Sequence, residues 1–207
     1  MRRGSTICVP IPTRRASSTS SSHPPEDRHR AFAEAYDFSG ARLIADVGGG
    51  NGEALRRVLA RAPSARGIIF DRKDVVDAVP KDKLLDGRIT VEAGDFFSRV
   101  PQGADIYLLN WVMHDWPDDD CVRILTSCRA AMAPDARLLI GELILNPDPE
   151  AGHPTSYLLD VHMMAMFATA RERTEAEYRD LLARAGFAFE RAIPTASLFS
   201  VIEAVPR

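Results

Sequence analysis

Leu43-Ile44-Ala45-Asp46-Val47-Gly48-Gly49-Gly50-Asn51-Gly52 decides the fold. A short apolar run stops at an acid and then breaks into four glycines within five residues. That pattern is a buried strand entering a sharp turn. The apolar segment that follows, Ala54 to Ala60, opens a helix. A strand, a glycine-rich turn and a helix N-terminus together make a nucleotide cradle. Glycine lets the backbone approach a ligand closely, and the first helical N–H groups are unpaired and point at it.

Working outward, strands and helices alternate. Arg28 to Tyr36 reads as a short helix and Asp37-Phe38-Ser39-Gly40 as a turn. The cradle helix runs from Glu53 to about Ala62, where Pro63 stops it. Further strands are expected at Gly67 to Phe70, Ile89 to Glu92, Asp105 to Leu109 and Leu138 to Leu145. A polar helix around Val75, Val76 and Val79 separates the second and third strands. Asp118 to Asp120 load the start of another helix with acids, which suits its dipole. Alternation of this kind means βαβ units and a parallel sheet. The chain then changes character. Tyr157 to Phe167 is apolar nearly all round and methionine-rich, a pattern more often plain core than pocket wall. Thr174-Glu175-Ala176-Glu177 is a capping box, starting a helix that ends at Ala185-Gly186. Phe187 to Ile193 and Phe199 to Val205 are strands with a short link, which forces them antiparallel. A parallel sheet finished by an antiparallel hairpin is the outline of the α/β class I methyltransferase fold, Rossmann-like and seven-stranded.

The cradle discriminates among nucleotides. Gly48-x-Gly50-x-Gly52 lacks the two-residue gap of the dinucleotide fingerprint, and Glu53 stands where its third glycine would fall. An acid facing a pyrophosphate is unfavourable; S-adenosylmethionine has no phosphates. Asp46 can accept hydrogen bonds from an amino group or from turn amides. Asp71 ends the second strand, where an acid grips ribose hydroxyls. Asp95 ends the third, where it is placed for the exocyclic amine of adenine, with Phe96 against the ring. Taken singly, Asp71 and Asp95 read more readily as solvated turn residues; acids ending the first three strands together argue for the cofactor.

Bulk properties bound the rest. The chain has 207 residues and a formal net charge of −3, which suits one α/β domain and gives no electrostatic case for nucleic acid. No apolar run is long enough to span a bilayer. Cys8, Cys121 and Cys128 have no metal-ligand spacing, and three unpaired cysteines fit a reducing cytoplasm. No carboxylate and Asn set suggests a metal site. Met1 to about Pro25 carries four arginines, a serine run and no acid, and reads as a disordered or misassigned tail more readily than as a targeting segment. The expected division is residues 1–27 as tail and 28–207 as the cofactor-binding catalytic domain.

With these residues placed, the chain resembles the S-adenosylmethionine-dependent O-methyltransferases that include plant caffeate and flavonoid enzymes and bacterial polyketide and hydroxyneurosporene enzymes. The likeness covers Tyr36 to Arg207. It rests on Asp46 to Gly52, Gly94-Asp95-Phe96-Phe97, His114-Asp115-Trp116, Gly141-Glu142 and Arg171-Glu172-Arg173-Thr174. The resemblance implies His114 as general base bracketed by Glu142 and Glu172. It implies cofactor contacts from Gly48, Gly50, Asp71, Asp95 and Phe96, with Trp116 near the adenine and Met163 in the acceptor pocket. Asn110 stands where plant members often carry a lysine for the cofactor carboxylate. The family usually has a helical dimerisation domain ahead of the catalytic one, and no counterpart is legible before Tyr36. Two readings follow: an O-methyltransferase acting on a hydroxyl of a small aromatic or polyketide-like metabolite, or a truncated, inactive cofactor-binding domain; a homodimer is typical of the family, and the lack of a legible front domain tells against one here.

The chemistry explains the residue types. A phenol with a pKa near ~10 is a poor nucleophile when neutral, so a base within hydrogen-bond reach is needed. His114 follows the fourth strand, at the carboxyl edge where ligands bind in open α/β sheets. A carboxylate on its far nitrogen would fix the tautomer and stabilise the imidazolium. Read alone, His114 is more readily a helix-entry histidine bonded to backbone, and it is the motif that favours the base; Glu142 is equally a solvated strand end, and Glu172 also reads as a dipole-favoured surface acid.

Overall fold

A computed structural model describes residues 25–166 and 170–207. The tail expected at residues 1–27 falls largely outside them, as does Phe167. Helix α1 (Pro25–Ala35) starts ahead of the expected Arg28. Then come β1 (Leu43–Val47), α2 (Glu53–Arg61), β2 (Arg66–Asp71), α3 (Lys73–Val76), β3 (Ile89–Ala93), β4 (Ile106–Asn110), α4 (Asp118–Ala131) and β5 (Arg137–Leu145). The chain ends with α5 (Pro154–Met166), β6 (Arg173–Thr174), α6 (Glu175–Arg184), β7 (Phe187–Pro194) and β8 (Phe199–Pro206).

The main path of the sheet is β3-β2-β1-β4-β5-β8-β7. Pairing is parallel from β3 through β5, and β8 is antiparallel to both β5 and β7. The seven-stranded class I methyltransferase sheet and its terminal hairpin are therefore present. One strand was not expected: the two-residue β6, which pairs with the end of β5 at Ile144 and Leu145. It is too short for any period-two signal.

Apolar alternation packs both faces of the sheet. Ala45, Val47, Tyr107, Leu109, Leu138 and Ile140 lie against α4 and α6. Ile44, Ile69, Leu108 and Leu139 lie against α1 and α2. The polar helix expected around Val75 is shorter than the sequence suggested: α3 stops at Val76, Val79 falls in the turn after it, and a 3₁₀ segment, Lys81–Gly87, follows. The capping box forms as read, with Thr174 and Glu177 bonding reciprocally. Cys121 and Cys128 are free and buried on α4.

Helix α5 corrects its sequence reading. The plain-core expectation for Tyr157 to Phe167 fails along one side, where Leu158, Val161 and Met164 are exposed. Hydropathy alone does not say which apolar side chains of a helix find a partner. Among the described residues, no helix is long and apolar enough to cross a membrane.

Candidate functional site

The sheet's parallel strands end along one edge, and the site is built there from three turns. The first is the cradle after β1. Gly48, Gly50 and Gly52 all have positive φ, at 73°, 57° and 77°. At Gly48 a side chain is excluded twice, because a Cβ would also sit 2.9 Å from Val112 and 3.6 Å from the Phe96 ring. The turn is tied to β2: the Gly48 and Gly49 N–H groups donate to the Phe70 carbonyl at 2.8 and 3.3 Å. Asp71 joins this scaffold, accepting the Gly50 N–H at 2.9 Å and the Arg72 N–H at 2.7 Å. Each of its oxygens keeps a second lone pair for a ligand.

Asp46 lies beneath the cradle, 1 % exposed. One of its oxygens, Oδ2, has no hydrogen-bond partner among the described residues. Burial, reinforced by the Asp71 charge, pushes its carboxyl up to about 7, against the Leu55 N–H and Arg56. An orphaned buried carboxylate is costly unless a donor arrives, so the place suits a ligand with an amino or hydroxyl group.

The second turn follows β3. Asp95 is exposed, and its carboxylate accepts the Phe97 N–H at 2.9 Å. That is the turn-residue alternative raised from sequence, and it leaves one face of the carboxylate toward solvent. Phe96, Phe97 and Trp116 form an edge-to-face trio, with Trp116 5.8 Å from Phe96 and 4.8 Å from Phe97 between ring centroids. The structure thus brings Phe96 and Trp116 together beside Gly48.

Asn110, at the end of β4, meets helix α1. Its Nδ2 is 3.0 Å from Nδ1 of His29 on α1. His29 is held neutral: burial, then the Arg28 charge, lowers it to about 4. The sequence assigned His29 no role because nothing local links α1 to the end of β4. The same face explains Gly141, where any Cβ would collide with Asn110 and Phe32.

The third turn, after β4, carries His114. Trp111 opens it with a positive φ of 62°, a strained setting for a bulky residue. Its ring lies edge-on to His114 at 5.1 Å and to Phe199 at 4.6 Å, with the Arg28 guanidinium 3.8 Å above it. The Met113–Asp115 segment is a single 3₁₀ turn, and His114 is buried within it. Glu142 projects from β5 onto the same spot. Its Oε1 accepts the Val112 and Met113 N–H groups at 2.9 and 2.7 Å. Its Oε2 is 2.7 Å from His114 Nδ1. With Nδ1 turned to Glu142, the second nitrogen, Nε2, remains to exchange a proton; the Asp115 carboxylate is 3.4 Å from it.

Electrostatics follow from this packing. Burial works against a charged imidazole, but Glu142, Glu172 and Asp115 outweigh it and raise His114 to about 9. Glu172 is 5 % exposed, and its Oε2 has no partner among the described residues. Burial pushes its carboxyl up, while the His114 charge pulls it down. Neither glutamate takes the exposed alternative; both are interior acids acting on one histidine. Met163, on α5, is half-buried.

A residue that sequence reading left without a role completes the turn. Arg173 is fully buried. It donates to the carbonyls of Met113 at 3.0 Å and Trp116 at 2.7 Å, and to Asp118 at 2.8 Å. Its place in the Arg171 to Thr174 motif was legible, but its burial was not, because an arginine beside a helix cap ordinarily faces water.

A glycine cradle with an orphaned acid, an aromatic trio beside it and a carboxylate-bound histidine define a methyltransferase-type α/β site. The chain matches the O-methyltransferase domain over residues 28–188, and it belongs to that family. It is 42 % identical over 180 residues to the phenazine O-methyltransferase PhzM of Lysobacter antibioticus, a match covering 85 % of this chain and 52 % of that protein. Among solved structures it resembles CalO1, a methyltransferase of calicheamicin biosynthesis in its SAH-bound form, with a TM-score of 0.82 and 37 % identity over 88 % of this chain and 54 % of that one. It also resembles the neocarzinostatin O-methyltransferase NcsB1, solved with S-adenosylmethionine and 2-hydroxy-5-methyl naphthoic acid, with a TM-score of 0.74 and 32 % identity over 84 % of this chain and 52 % of that one. The chain spans about half the length of these relatives.

Proposed function

We propose that this chain carries out S-adenosylmethionine-dependent methylation of a hydroxyl on a small aromatic or polyketide-like acceptor, with His114 as general base. The observation that supports the reading most is the 2.7 Å contact between His114 Nδ1 and the buried Glu142. It leaves Nε2 as the proton acceptor, and a conjugate acid near 9 is well matched to a phenol near ~10. Family membership and the SAH- and S-adenosylmethionine-bound neighbours support the cofactor.

The residues fit that cofactor. Gly48 and Gly50 leave backbone space, Asp46 offers an unpaired carboxylate oxygen, and Asp71 and Asp95 offer free lone pairs for hydroxyls and an amine. Phe96 and Trp116 present ring edges for the adenine, and Asn110 faces the α1 side of the same edge. When bound, S-adenosylmethionine supplies an electrophilic methyl group. Glu142 holds the His114 tautomer and steadies the imidazolium. Nε2 would take the acceptor's hydroxyl proton, which makes that oxygen nucleophilic toward the methyl group the cofactor would supply. Glu172 adds negative charge near the imidazolium, and Met163 lines the acceptor side. A cytoplasmic setting belongs to the same proposal.

A second reading, cofactor binding without transfer, has one observation in its favour. Helix α5, which carries Met163, presents Leu158, Val161 and Met164 to solvent, so that apolar side of the helix is uncovered. Calorimetry with S-adenosylmethionine and a screen of phenolic acceptors separate the two. Binding with transfer supports the first reading, binding without transfer the second, and no binding contradicts both.

A further inference from the structure

The turn that holds His114 has little of its own to define it. It is one 3₁₀ turn without a side-chain cap, entered through a residue at positive φ. Beyond its own Asp115 and Trp116 N–H bonds at 3.4 and 3.2 Å, its backbone groups are taken up by side chains and by one backbone N–H from the loop ahead of β6. Glu142 receives the N–H groups of Val112 and Met113. The carbonyls accept from Arg171 and Arg173, two residues apart elsewhere in the chain, with the Cys121 thiol also 3.3 and 3.4 Å from the Met113 and Trp116 oxygens. The Arg171 N–H donates to His114 O at 3.0 Å, and the Arg173 guanidinium donates to Met113 O and Trp116 O. A carboxylate grips the turn from one side and a guanidinium from the other.

Resting on the general-base reading above, we infer that Arg173, locked in place by Asp118, is a positioning residue that sets the geometry of His114 against Glu142. Four of the five N–H donors of its fork are committed. Nε and Nη2 both reach Asp118 Oδ1, at 3.0 and 2.8 Å, and Nη1 and Nη2 reach the two carbonyls. Lysine has no such fork and cannot make these bonds from one position. The clamp also orders Glu172, because that residue directly precedes Arg173 and its own N–H is held by Asp160 at 2.8 Å. The charges facing His114 are Glu142 from β5, Glu172 ahead of β6 and Asp115 from its own turn, and Tyr178 on α6 senses both glutamates. Loss of the clamp therefore changes the distance to Glu142 and to Glu172 together. Hydrogen bonds made by buried arginine ordinarily serve stability, and a role in positioning has a separate signature.

The experiment uses histidine-labelled protein and nuclear magnetic resonance, with His114 assigned by its disappearance in His114→Gln. Wild-type protein is expected to show a strongly deshielded Nδ1 proton from the short Glu142 contact and a pKa raised above the ordinary histidine value. In folded Arg173→Lys, the proton signal is expected to broaden or move upfield and the His114 pKa to fall. Turnover is expected to drop about tenfold or more, with the cofactor KM changed by less than about twofold. Asp118→Asn, which keeps the arginine but frees it, is expected to move the same readouts in the same direction. It serves as the deciding variant if Arg173→Lys does not fold. An unmoved Nδ1 proton and an unmoved His114 pKa in either folded variant overturn the inference. The resonance readout needs no acceptor, so wild-type protein without transferase activity would count against the proposed function while the clamp is still tested.

Discussion

The His114 turn and the glycine cradle sit on the same edge of the sheet and are finished to different degrees. Around His114, the amides of Val112 and Met113, the carbonyls of Met113, His114 and Trp116, and the imidazole Nδ1 all have protein partners. In the cradle, Asp46 keeps an orphaned buried oxygen and Asp95 is open to solvent. The difference separates two tasks. Groups that steady developing charge are most effective when fixed beforehand, so the His114 turn and its Glu142 contact are satisfied without ligand, and only Glu172 Oε2 there lacks a partner among the described residues. Groups that recognise a ligand must leave donors or acceptors unsatisfied until it arrives.

Substitutions on the two sides should diverge. The largest effect is expected from Glu142→Ala, which strands two buried amides and the imidazole; a loss of ~3–5 kcal/mol in denaturant unfolding is expected. Equal stability in this variant would erase the contrast. Asp46→Asn should act in the opposite direction. The carboxyl titrates near 7 folded against a usual 3.8, so the unfolded chain ionises first and folding is penalised more and more as pH climbs between those values. Removing the charge should stabilise the ligand-free protein by ~1–3 kcal/mol near pH 8, with the gain shrinking toward about pH 4. The same change should weaken S-adenosylmethionine binding by about tenfold, read by calorimetry. Gly48→Ala combines positive φ with a close approach to Val112, and should cost ~1–2 kcal/mol of stability while narrowing the cradle. The smallest effect is expected from Thr174→Ala, which removes the α6 cap for ~1 kcal/mol in thermal unfolding and leaves cofactor affinity unchanged.

Sequence legibility follows the same division. The strands around Leu43–Val47 and Leu138–Leu145 and the Thr174 capping box were readable because period, glycine and capping signals are local. The cradle and the His114 motif were readable as candidates for the same reason. The side-chain partnerships were not. Asn110 meeting His29, the burial of Arg173 and the pairing of β6 with β5 each depend on residues far apart in sequence, and no local pattern encodes them. The exposed side of α5 is a further case, since an apolar helix looks alike whether or not a neighbour covers it.

The pH dependence of methyl transfer to a phenolic acceptor, measured for wild-type protein and for His114→Gln, tests the central claim most directly. A base that titrates near 9 is mostly protonated at neutral pH, so wild-type turnover should climb with pH and level off near that value. His114→Gln should lower turnover by about a hundredfold or more and flatten the profile. Turnover in His114→Gln equal to wild type, with the same pH dependence, would contradict the account.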